Sequence, residues 1–274
     1  KNIGNATTGT VTVSNAIRIS GTASDVTAAL VTEASKVVAA TSGTIANVTT
    51  TVSASQGAGY TTISNVDATF SNGVEDSIAN LTKSATEISD DLNAITSDNG
   101  AALVTVDDAA YDGTNNDNSV LATRLSAIGN ATTGTVTVSN AVRIEGSQSD
   151  VTAALVTEAS KVSAGSALVK ITDSAFDGTN NNVTIAASDL KNIGNATTGA
   201  VTLDSAVKIT GTQSDVTAAL VTGGSKVVAG AASTLANVTS AVTAAQGQAI
   251  AAASNIDASF AGGVEDSTAN LYST

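Results

Sequence analysis

Carboxylates and amides gathered on glycine turns are the residues of this chain best suited to chemistry. Asp107, Asp108, Asp112, Asn116 and Asp117 surround Gly113, and a sister stretch carries Asp173 and Asp177 ahead of Gly178. Such sets supply oxygen ligands for a hard cation. Asp108, Asp112, Asn116, Asp117, Asp173 and Asp177 are therefore the candidate metal ligands, with calcium as the candidate cofactor. The same composition is ordinary turn chemistry, because Asp and Asn bond to their own backbone and tolerate left-handed conformations. The sister stretch has Asn182 where the first has Asp117, which lowers its charge. A second pair of clusters, Asp67 with Glu75-Asp76 and Asp257 with Glu265-Asp266, keeps its acids in both copies. Glu75-Asp76 falls at an expected helix start, where the helix dipole stabilises negative charge without a metal.

Other chemistries are closed by composition. With no His and no Cys, neither a Ser-His-Asp nor a Cys-His arrangement nor a His-ligated zinc site can form. Paired carboxylates alone would suit a glycosidase, but the acids recur as turn and cap residues, and no enzymatic activity is expected. Tyr60, Tyr111 and Phe176 are the aromatics placed to meet a sugar. N-x-[ST] sequons at Asn5, Asn47, Asn80, Asn130, Asn182, Asn195 and Asn237 leave glycans as candidate partners. A net charge of −13 disfavours nucleic acid and anionic membranes. No apolar run approaches a membrane span. The chain starts at Lys1 without a signal-peptide pattern and contains no Met, so it is expected to be a processed chain or an internal fragment.

The elements that must position these residues come in copies. Residues 3–37 return at 128–162 and again at 193–227. Residues 1–81 match 191–271 at an offset of about 190, and 103–160 match 168–225 at an offset of about 65. Substitutions between copies conserve volume, as in Ile17 against Val207 and Tyr111 against Phe176. Within one copy, Thr10-Val11-Thr12-Val13 alternates as a short strand, and Ile17 and Ile19 flank Arg18 in a second. Ser24 or Asp25 then predicts a helix over 26–38. Related helix starts are expected at Ser188-Asp189-Leu190, Ser89-Asp90-Asp91-Leu92 and Ser233-Thr234-Leu235, and Ser84-x-x-Glu87 has the form of a capping box. Long loops are expected at 50–77, 107–120 and 164–185. Apolar anchors align at Ile3, Ile95, Ile128 and Ile193. Aromatic content of only 2% means a core of Val, Ile, Leu and Ala, suited to thin layers. These observations predict a repeat solenoid, mostly β with short helices (a β-solenoid or mixed α-β solenoid), as one continuous array over 1–274.

The stretch 187–220, ASDLKNIGNATTGAVTLDSAVKITGTQSDVTAAL, resembles the tandem-repeat segments of giant extracellular and cell-surface proteins of bacteria, the adhesin- or motility-like repeat proteins of cyanobacteria. The shared features are the S-D-L/V helix start, the I-x-x-x-T-T-G turn and the I-T-G-T strand end. The resemblance implies a secreted or surface component and no catalytic residues. Together these features predict a structural segment of an extracellular filament, adhesin stalk or surface layer. Its expected partners are itself, head to tail, or further repeats of the same polypeptide. The alternative is a bacterial or phage fibre module that binds a ligand or glycan.

Overall fold

The computed structural model describes residues 2–32, 36–113, 119–178, 183–222 and 224–272. They form two compact units. The first comprises Lys1–Asp108, Arg124–Ser139 and Ala159–Val162. In it, Val11–Val13 pairs with Val37–Ala39, Thr44–Val48 lies between Arg18–Gly21 and Val66–Phe70, and Val104–Val106 lies between Val74–Asp76 and Val136–Val138. The second unit comprises Ala109–Thr123, Asn140–Glu158 and Ser163–Thr274. One of its sheets runs Ser119–Leu121, Arg143–Gly146, Leu168–Ile171, Val201–Leu203, Val227–Ala229. The other runs Thr184–Ala186, Lys208–Gly211, Thr234–Val238, Ile256–Phe260.

Every one of these pairings is parallel. Parallel neighbours need a crossover, and here short helices supply it. Gln148–Leu155, Ala187–Ala196 and Gln213–Leu220 each lie between strands and bury Val, Leu, Ile or Ala. The fold is thus α/β, with several parallel sheets and helices between the strands, and the expected mostly β solenoid is incorrect. That expectation came from reading the repeated copies, with their aliphatic core, as stacked turns. The stretch 50–77 holds the helix Ala54–Thr61 and the strand Val66–Phe70 instead of a loop.

Local chemistry explains most boundaries. Thr22, Ser53, Ser77, Ser89, Ser147, Thr212 and Thr243 are N-caps whose hydroxyls accept the amide three residues on. The helix expected over 26–38 is instead Ala23–Val26 continued by a π-helical turn Thr27–Val31, and Val37–Ala39 is a strand. Between them Lys36 sits at φ 51, with Lys161 and Lys226 at φ 52 and 57 in the other copies. Lys226 Nζ donates to the carbonyls of Gly194 and Thr197 at 3.1 and 2.9 Å, neutralising the end of the helix Ala187–Ala196. The helix expected at Ser233-Thr234-Leu235 is the strand Thr234–Val238. Ser84-x-x-Glu87 caps nothing. It forms a tight turn closed by the antiparallel bridge Thr82–Ile88, and the helix there is Asp90–Asp98 behind Ser89.

Candidate interaction surface

The acids singled out from sequence do structural work. Asp108 Oδ2 accepts the Ile78 amide at 2.7 Å, and Asp173 Oδ2 accepts the Gln148 amide at 2.6 Å. Each of those amides opens a helix. The device recurs: Ala23 donates to Thr50 Oγ1, Ala54 to Asp76 Oδ2, Gln213 to Ser240 Oγ and Ala244 to Asp266 Oδ2. The acceptor always comes from later in the chain, 22 to 30 residues on. Two of the orphan amides of each helix are thereby satisfied, one by its own cap and one by the following segment. Burial raises the Asp108 carboxyl above its ordinary value; the Ile78 amide opposes this, and the Asp107 charge adds to it.

Asp112 and Asp177 are exposed and precede Gly113 and Gly178, both in left-handed turns at φ 77 and 75. Asp108 belongs to the first unit, and Asp112, Asp173 and Asp177 to the second. Asn116 and Asp117 lie outside the described residues. Among the described residues no three acids gather as a metal-holding group.

The aromatics are engaged internally. Tyr60 is buried, and its hydroxyl donates to the Ala23 carbonyl at 2.8 Å and meets Thr27 Oγ1 at 2.7 Å. The Arg143 guanidinium covers the Tyr111 ring at 4.2 Å, and Lys208 Nζ lies 5.1 Å from the centre of the Phe176 ring. Of the sequon residues, Asn47 is buried and its Oδ1 accepts from Arg18, Thr69 and Ser71. An open cleft of about 410 Å³ beside the 82–88 turn holds Lys83, Glu87 and Asp90. Its cation is spent, since Lys83 Nζ is 3.0 Å from Asp90 Oδ1 and that bond holds the ammonium above its ordinary value.

Equivalent positions in the three copies differ sharply in exposure. Ile3 is 73% exposed, whereas Ile128 and Ile193 are both 0%. Val11 and Val13 are half-buried where Val136, Val138, Val201 and Leu203 are fully buried, and Ile17 is exposed where Val142 and Val207 are not. The turn before the strand tells the same story. Thr132 Oγ1 donates to the Ala102 carbonyl at 2.6 Å and Thr197 Oγ1 to that of Ala167 at 2.5 Å. A Cβ at Gly134 would stand 2.5 Å from the Ala102 oxygen, while one at Gly9 would meet only Thr7. No described strand pairs with the second edge of Val11–Val13.

A complementary face lies on the second unit. Ala244, Gly247, Phe260, Val264 and Leu271 line an apolar cavity of about 440 Å³. Their counterparts in the first unit, Ala54, Phe70, Val74 and Leu81, are buried, and Gly57 faces the side chain of Ile95, whose Cδ1 would be 2.5 Å from a Cβ there. Val74 and Leu81 are 0% exposed, Val264 45% and Leu271 48%. A Cβ at Gly73 would meet the Leu103 oxygen at 2.6 Å, and one at Gly263 would meet nothing. Sequence reasoning missed this surface. The signal was present in the match between 1–81 and 191–271, which pairs each lining residue of this face with a counterpart in the first unit. No family model, no curated protein and no solved structure matches the chain.

Proposed function

We propose that the chain is a structural module of an extracellular or cell-surface scaffold, whose activity is to join copies of its own fold. The observation that carries this reading is the exposure of Ile3, Ile17, Val264 and Leu271 at positions whose counterparts are buried core. Apolar side chains placed as core residues but left at a surface are the mark of an interface, and a closed monomer would carry polar residues there. The rest of the surface supports the same reading. In the cleft Lys83 is paired with Asp90, and the aromatics best placed to hold a sugar are buried or covered by Arg143 and Lys208. Sedimentation velocity across a range of concentrations, with negative-stain imaging of the heaviest fractions, tests it. Assemblies that grow with concentration are the expected outcome. A chain that stays monomeric at every concentration overturns the reading.

A further inference from the structure

The first unit contains a finished version of the joint that the exposed faces call for. The helix Asp90–Asp98 and the strand Val104–Val106 pack on the surface formed by 54–81. Ile95 fills the hole above Gly57, and the strand adds in parallel register, Val74 to Val104, Glu75 to Thr105 and Asp76 to Val106. The Val74 amide donates to Leu103 at 2.9 Å and the Asp107 amide to Asp76 at 3.0 Å. Residues 244–271 repeat the receiving surface, including the sequence GVEDS at 73–77 and 263–267. Residues 2–13 repeat the incoming piece, since Ile3 aligns with Ile95 and Val11–Val13 with Val104–Val106, through a connection one residue shorter.

We infer that residues 2–13 of one copy close the 244–271 face of a second copy. Ile3 enters the cavity between Gly247, Phe260, Val264 and Leu271, and Val11–Val13 adds in parallel to 264–266. The inference rests on the self-association proposed above and specifies its joint. The backbone is already oriented for it. Val11 donates to Lys36 and Val13 accepts from Ala40, so both face the Val37–Ala39 side, and the alternation of a parallel strand turns the Thr12 amide and carbonyl to the open edge. On the other face Glu265 donates to Val242, which leaves Val264 and Asp266 pointing outward as Val74 and Asp76 do. The register is Val264 with Val11, Glu265 with Thr12 and Asp266 with Val13. One contact has no counterpart: Asp98 accepts the Ala68 amide at 2.6 Å, and Ala6 stands at its place. The joint between copies is accordingly weaker than the internal one. Its two sides are different surfaces, so successive additions do not close a pair.

The absence of cysteine makes the register testable. Thr12→Cys and Glu265→Cys chains, mixed and oxidised, should give a disulfide dimer whose linking peptides join residues 12 and 265; Thr12→Cys with Asp257→Cys should not. Ile3→Asp changes a side chain already exposed in the free chain, and should weaken association by at least about 10-fold with an unchanged circular dichroism spectrum. Gly247→Leu, which fills the receiving cavity, should do the same. Association that survives Ile3→Asp, or that yields only dimers linking 12 to 12 or 265 to 265, overturns this joint and leaves self-association standing. Absence of any association overturns both.

Discussion

At the scale of single residues, the carboxylates of this chain act as acceptors for backbone amides. Asp98 is the clearest case, since its Oδ2 holds the amide of the buried Ala68. Burial pushes the Asp98 carboxyl up, the Ala68 amide opposes that, and the Asp67 charge adds to it. A raised carboxyl binds its proton more readily folded than unfolded. It therefore makes stability fall as pH rises from the ordinary value of 3.8 through the raised one, and it adds no further pH dependence above that. Asp98→Asn keeps an acceptor on Ala68 and cannot titrate. Urea melts between pH 3 and 7 should show the variant losing less stability than the parent across that window. Asp98→Ala should cost about 1–3 kcal/mol at every pH, because it leaves a buried amide unpaired. Asp266 works in the opposite sense. Its carboxyl is lowered, first by the side-chain bond from Asn270, so its contribution is lost as pH falls through the lowered value.

At the scale of elements, the helix starts at Ala23, Ala54, Ile78, Gln148, Gln213 and Ala244 are joints between two segments of chain. Asp173→Ala removes the acceptor of the Gln148 amide and should lower stability by about 1 kcal/mol in thermal melts, with Asp173→Asn intermediate because it keeps the bond and loses the charge. Half of this joint was legible in sequence. Ser89 ahead of Asp90-Asp91-Leu92 marks its helix correctly, because the cap bond spans three residues. The other half was not legible, because the acceptor arrives from far along the chain. Local spacing around Asp108 and Asp173 fits a cation loop as well as a helix acceptor, and only the tertiary pairing decides what their Oδ2 atoms hold. Ser233-Thr234-Leu235 failed for a related reason. Ser233 takes a left-handed turn at φ 69, and Thr234–Val238 is claimed by strands on both sides, Lys208–Gly211 and Ile256–Phe260. The helix Ala54–Thr61 was hidden by Gly57 and Gly59, residues that normally weaken helices. Gly57 lies against the tip of Ile95, whose Cδ1 would be 2.5 Å from a Cβ there.

At the scale of the molecule, the copies were readable as text, and they are what turns exposure into evidence: each buried isoleucine shows what its exposed counterpart is shaped to meet. The fold class was not readable, since local spacing marks short strands and the helix starts between them, while parallel pairing into several sheets joins segments far apart in sequence. Net charge of −13 now bears on assembly. Like-charged copies repel over a screening length of about 30 Å at 0.01 M salt and about 10 Å at 0.1 M, while apolar contact is insensitive to dilute salt. Association should strengthen as sodium chloride is raised from about 0.01 to 0.1 M and beyond. Sedimentation at fixed protein concentration across that series checks it, and weakening with salt would point to ion pairs at the joint instead of Ile3.

The borrowed acceptors also set an order of events during synthesis. The Ala54 amide waits 22 residues for Asp76, Gln148 waits 25 for Asp173, Ala23 and Gln213 wait 27, and Ile78 waits 30 for Asp108. While a ribosome makes each of these stretches, the helix at its start carries a first amide that is still unmet. The segment that brings the acceptor completes the earlier helix, as Asp76 does for Ala54 shortly before Ile78 opens the next. For these helices consolidation follows translation at a lag of 22 to 30 residues.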